Sequence, residues 1–267
     1  MENLDTSKAV TYNNYLKVSE LLNLQIPLSD GPEHDELLFI VIHQTYELWF
    51  KQLIHEFDRV FLLMKNLDLY ATLATLSRIR TIYKTLVAQI DILETMTPVQ
   101  FNTFRSRLES ASGFQSAQFR EVEVILGRRD RQAISHLPQN EQITLRISER
   151  MKRPSIWDAT LNFLSRKNFK VPSEVLNRDV SEPYIPNEKI ELVLEKIYKN
   201  NPDIALLFEK LMDIDEGQQE WRYRHVKMVE RTIGRKSGTG GSSGAKYLSS
   251  TLFNPMFPEL WQVRSRL

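Results

Sequence analysis

Residues 34–65 read HDELLFIVIHQTYELWFKQLIHEFDRVFLLMK. Apolar side chains return at helical spacing through Leu38, Ile42, Trp49, Leu53, Phe57 and Phe61. That is one stripe of a long amphipathic helix running from His34 to about Lys65. Outward from it the same period continues. A second helix fits 69–96, with Leu73, Leu76, Ile79, Ile82, Leu86, Ile90 and Leu93 on one side. Thr97-Pro98 then reads as an N-cap followed by proline at the first helical position, opening a helix through Phe101 and Phe104. Shorter helices are expected over 116–126, 141–150 and 156–166. Residues 169–187 hold Pro172, Pro183 and Pro186 and read as a long irregular connection. Helix resumes over 189–199, and Pro202 starts a last long helix ending at Gly234, a C-terminal cap position. No segment alternates at period two, so the fold class is all-α. There is no internal repeat and no interdomain linker, so one domain over 1–267 is expected.

The bulk composition bounds the function classes. The chain has 267 residues, 42% hydrophobic and 26% charged, as in an ordinary globular protein. With 35 basic and 34 acidic side chains the formal charge is +1, which gives no electrostatic reason to expect nucleic acid or an anionic membrane as partner. Cysteine is absent, which removes disulfides, thiolate haem ligation, iron–sulfur clusters and cysteine zinc sites. Met1-Glu2-Asn3-Leu4-Asp5 carries no basic-then-apolar signal pattern, and the longest purely apolar run, 37–42, is far too short to span a bilayer. A cytoplasmic protein with no membrane partner is the expectation. Residues 237–244, Ser-Gly-Thr-Gly-Gly-Ser-Ser-Gly, hold four of the nine glycines. They read either as a flexible linker or, lying between a long helix and the apolar Tyr247-Leu248, as a mobile active-site lid.

The histidines are His34, His43, His55, His136 and His225. None are paired at close helical spacing, as a zinc site wants. His34 and His43 face roughly opposite ways around a helix at about 100° per residue. His55-Glu56 begins like a zinc-protease motif, but Arg59 stands where the second histidine would be. A single axial histidine to haem stays open. By pattern alone His43, on a strongly apolar helix, reads first as a satisfied core histidine. His225, among Arg222, Arg224 and Lys227, reads as part of a solvated basic face, and Arg105 as a surface arginine.

Several stretches together carry a resemblance. They are His34-Asp35-Glu36-Leu37-Leu38-Phe39-Ile40-Val41-Ile42-His43-Gln44-Thr45-Tyr46-Glu47-Leu48-Trp49-Phe50-Lys51, Phe104-Arg105 with Ala111-Ser112-Gly113-Phe114-Gln115-Ser116, and Trp221-Arg222 through His225 with Met228-Val229-Glu230-Arg231 and the glycine-rich loop. Tyr12-Asn13-Asn14-Tyr15-Leu16 and Phe257-Pro258-Glu259-Leu260-Trp261 join them. In that order and spacing the set resembles the tryptophan 2,3-dioxygenase family over essentially the whole chain.

The resemblance implies a helical haem-binding bundle of the tryptophan/indoleamine dioxygenase type and a reaction that adds both atoms of O₂ across the indole 2,3 bond of L-tryptophan. It implies His225 as the axial ligand of haem b, active with Fe²⁺, and Ser112 near the haem. It implies His43 as the distal histidine meeting the indole N–H, with Phe39 and Phe101 at the substrate. Arg105 would grip the substrate carboxylate and Thr239 its amino-acid end. Tyr12 and Tyr15, on an N-terminal arm of about 1–30, would reach a neighbouring subunit's pocket in a homo-oligomer, a homotetramer built as a dimer of dimers. The chain is short and compact for the family, which puts accessory contacts outside its core in doubt. Two other readings compete: a haem monooxygenase on the same fold acting on an indole or substituted tryptophan, and a non-catalytic haem or tryptophan sensor.

Overall fold

The computed structural model describes residues 10–31, 33–109, 111, 113–130, 141–234, 236, 248–249 and 252–267. Among these there is no strand, so the fold is all-α, as the period of the apolar residues requires. The helices are α1 (Tyr12–Leu16), α2 (Val18–Leu22), α3 (His34–Lys65), α4 (Leu69–Leu93), α5 (Pro98–Phe104), α6 (Ala117–Leu126), α7 (Glu141–Met151), α8 (Ile156–Arg166), α9 (Ser173–Leu176), α10 (Glu188–Asn200), α11 (Pro202–Ile233) and α12 (Pro258–Gln262). Short 3₁₀ turns cover Arg105–Leu108, Gly113–Gln115 and Val263–Arg266.

Local chemistry sets the boundaries. Thr97 accepts a bond from the Gln100 backbone N–H while the Gln100 side chain accepts one from Thr97 N–H, so α5 opens with a capping box ahead of Pro98. That cap shortens the helix before it. α4 stops at Leu93 rather than running to Met96, because Thr97 must be extended to cap α5 and the residue before a proline avoids helical geometry. α11 ends where expected, at Gly234, whose φ of 63° is open to glycine at little cost. The connection over 169–187 is not wholly irregular. It contains α9, whose Val175 is buried, and is tied down by Arg178, which grips buried Asp158 with two bonds of 2.8 and 2.9 Å.

α4 packs along both α3 and α11, and this three-helix layer holds the centre of the core. The buried stripe of α3 is Ile42, Tyr46, Phe50, Leu53, Phe57, Val60 and Met64. The stripe expected through Leu38, Trp49 and Phe61 is therefore turned slightly on the helix, and those three are only partly buried. The helix carries apolar residues on two adjoining faces, and the neighbours decide which is covered. Tyr46 seals the choice by donating its hydroxyl to Leu86 O of α4 at 2.8 Å.

The C-terminal segment is bound to α11 through one carboxylate. Asp215 is fully buried and accepts N–H bonds from Met256, Phe257 and the Trp261 indole at 2.9 to 3.1 Å. Asp215→Asn would keep the shape but turn an NH₂ toward donors. A loss of about 2 kcal/mol is expected, as for a buried donor left unpaired. Chemical denaturation measures it, and a change under about 0.5 kcal/mol would remove Asp215 as the anchor.

Candidate active site

The elements meet around one cavity whose wall is mostly apolar. α3 supplies Phe39, His43 and Glu47, α4 supplies Ile90 and Leu93, and α11 supplies Trp221, Arg222 and His225. Arg105, just past α5, and Phe119, Arg120 and Glu123 of α6 complete the parts used below.

Phe39 and His43 sit one turn apart on the same helical face, their rings 4.1 Å apart. Phe101 and Phe104 close round Phe39 at 5.9 and 5.7 Å. Burial of these two phenylalanines fixes α5 against α3 and leaves Arg105 half-buried on the cavity wall. Arg105 is thus not the surface residue that pattern alone suggested.

His43 is half-buried, and its Nδ1 lies 2.7 Å from Phe39 O. A carbonyl only accepts, so Nδ1 carries the proton and Nε2 of the neutral ring keeps its lone pair. Burial lowers the pKa of His43, against opposing pulls from the Phe39 carbonyl and the Glu47 charge. The ring is therefore an acceptor at neutral pH.

His225 stacks flat on Trp221, with centroids 5.1 Å apart and planes 5° from parallel. Burial, then His43, then Arg120 push its pKa down to about 4, so it is neutral. Its ring nitrogens make no hydrogen bond among the described residues. A neutral imidazole on an apolar cavity wall with no hydrogen-bond partner among the described residues suits a metal's axial position, and buried Arg120 and Arg222, on the same cavity, suit the anionic groups of a porphyrin. Among the described residues no cluster of three His, Cys, Asp or Glu could hold a bare ion. The donor set fits haem.

Comparison with known families matches residues 1–174 and 192–267 to the one described as tryptophan 2,3-dioxygenase. The chain belongs to that family. It is 54% identical over 264 residues to the tryptophan 2,3-dioxygenase of Herpetosiphon aurantiacus, covering 98% of this chain and 100% of the relative. The Anaeromyxobacter dehalogenans tryptophan 2,3-dioxygenase is 52% identical over 98% of this chain and 97% of its own length. That of Bacillus thuringiensis subsp. konkukian is 40% identical, over 98% and 95%. The chain thus spans 95–100% of the length of these three relatives.

Of the residues assigned by resemblance to the tryptophan 2,3-dioxygenase family, Phe39, His43, Phe101, Arg105 and His225 line this cavity. Ser112, Thr239 and the loop 237–244 lie outside the described residues. Tyr12 and Tyr15 sit on α1, each 75% exposed, and line no part of it. The solvated basic face proposed around His225 is corrected. Arg222 is buried on Glu123, and Arg224 is held by Asp91 and Glu94, while Lys227 alone of the three is exposed, paired with Glu230. Sequence reading missed Tyr46 and Phe50, though both follow His43 at helical spacing, and it gave Trp221 no role although it lies one turn before His225.

Proposed function

We propose that this chain is a haem-dependent dioxygenase that cleaves the indole 2,3 bond of L-tryptophan with O₂ and releases N-formyl-L-kynurenine. The reading rests on one observation above all: two neutral histidines and an arginine share an apolar cavity in a chain of this family. His225 and the aromatic surface beside it would hold haem b. Bound there in its ferrous state, the haem would supply the binding and activation of O₂.

The chain's own residues bind and orient. The Nε2 lone pair of His43 would accept the indole N–H, and Phe39 with Phe101 would give the ring an aromatic wall. Arg105 would take the carboxylate through two charge-assisted bonds, and Thr239 is assigned the substrate's amino-acid end. Fixing both ends of tryptophan holds C2–C3 in one place, which can supply several kcal/mol of a barrier. The apolar wall excludes water. Both oxygen atoms stay in the product, so no outside reductant is consumed.

We further infer a cytoplasmic homo-oligomer, a tetramer in the usual state of the family. In support, among the described residues no helix is long and apolar enough to cross a membrane. The N-terminal arm also leaves Tyr12, Tyr15, Leu22 and Ile26 exposed, an apolar surface suited to another subunit.

His43→Ala is expected to slow turnover and retain haem. The acid side of the kcat/KM profile follows the neutral ring: activity holds above the lowered pKa of His43 and falls as pH drops through it. Since the Glu47 charge raises that pKa, Glu47→Gln should move the acid limb to lower pH. An unmoved limb would take His43 out of the titration.

The reaction itself is tested by anaerobic reduction of the haem-loaded protein, then L-tryptophan and ¹⁸O₂. Two labelled atoms in N-formylkynurenine are expected. One labelled atom would make it a monooxygenase, and no oxygen uptake a sensor or binding pocket. Neither is favoured: the relatives are named as dioxygenases, and a gas sensor needs no grip on a carboxylate.

A further inference from the structure

Beside the cavity, between α6 and α11, one buried carboxylate takes two buried arginines. Arg120 Nη1 lies 2.5 Å from Glu123 Oε2, and Arg222 Nη2 bonds Glu123 Oε1. The three side chains are 7%, 5% and 4% exposed for Arg120, Arg222 and Glu123. Arg128 stands 3.6 Å from the same carboxylate and 3.4 Å from Asp130. Three arginines thus meet at the Glu123 carboxylate, Arg128 sharing itself with Asp130. The arginines hold Glu123 well below the usual carboxylate range against its burial, so the anion stays ionised.

A buried ion network of this kind is a poor way to stabilise a fold, since desolvation offsets much of its attraction. Its position suggests another use. Arg222 is on α11 one turn before His225, and Arg120 and Glu123 line the same cavity as His225. A charge in a low-dielectric surrounding is felt over distances that water would screen. Among the described residues His225 has no carboxylate or carbonyl on its ring, the kind of outer partner that raises the basicity of a metal-bound histidine.

We propose that the Arg120–Glu123–Arg222 cluster sets the reduction potential of the iron held by His225, with Glu123 as the positioning residue that keeps both arginines against the cavity. This rests on the reading of His225 as the axial ligand. The ferric centre carries one more positive charge than the ferrous one, so neighbouring positive charge favours the ferrous, oxygen-binding state.

The test is a spectroelectrochemical titration of haem-loaded protein, parent against Arg222→Gln, Arg222→Lys and Glu123→Gln, with Arg120→Gln and Arg120→Lys as a second pair. The potential is expected to fall in each arginine-to-glutamine variant, to stay near the parent in each lysine variant, and to rise in Glu123→Gln. A merely structural role makes the lysine and glutamine variants alike, or shifts the Glu123 and arginine variants the same way; either result overturns the proposal. The arginine pairs decide the matter even where Glu123→Gln fails to fold. If His225→Ala leaves the ferrous spectrum of the parent unchanged, the axial assignment fails first, and this proposal with it.

Discussion

His225→Ala should leave a folded protein that no longer holds haem in the parent's state. Removing only an outer partner of a metal ligand costs about 10–100-fold in affinity or activity, so removing the ligand itself should cost more than roughly 100-fold in turnover. The fold should survive, because His225 is half-buried on a cavity wall and makes no hydrogen bond among the described residues. What it does make is the stack on Trp221, and its loss opens a space beside that ring. Added imidazole should enter this space and restore part of the ferrous spectrum, which an unfolded variant could not do. The ferrous absorbance spectrum with and without imidazole is the measurement. A variant that keeps the parent's spectrum and rate would move the axial ligand elsewhere.

The second large effect is expected at Arg105. Arg105→Met removes a planar donor pair from the cavity wall, and a bond to a charged group contributes about 1.5–3 kcal/mol. The kcat/KM for L-tryptophan should therefore drop roughly 10–100-fold, mainly through KM. Arg105→Lys keeps the charge but not the fork and should recover only part of the loss. Tryptamine, which lacks the carboxylate, separates binding from collapse of the site: parent and Arg105→Met should handle it alike. An equal loss on both substrates would mean that Arg105 shapes the cavity rather than holding the carboxylate. Phe101 and Phe104, buried against Phe39, make such a shaping role a genuine competitor.

The helices were largely legible. α3 and α11 run where their periodicity and punctuation put them, because a 3.6-residue period, a proline at the first turn and a terminal glycine act within a few residues of chain. Of the two small misses one was local and the other tertiary. α4 ended three residues early because the cap of the next helix claimed its last turn. The stripe on α3 was displaced because two adjoining faces were apolar and only packing against α4, α6 and α11 chose between them.

The site divides along the same line. Resemblance in the sequence picked out Phe39, His43, Phe101, Arg105 and His225, and these gather at one cavity although the chain separates His43 from His225 by most of its length. Nothing in the residues themselves distinguished Arg222 from Lys227. Both are cations on one helix near His225, yet one is buried on Glu123 of α6 and the other is exposed. The tautomer of His43 is a similar case, since it follows from the direction of one carbonyl, and Asp215 is another, an unremarked acid in the sequence that gathers the C-terminal segment. By itself the sequence determined the family, the helices and the residue types that carry the chemistry, because those depend on local pattern and on motifs kept in order. The tertiary structure alone decided charge, protonation and burial around them. Those depend on which distant groups approach within a few ångströms, where desolvation and Coulomb attraction act and the chain's order does not.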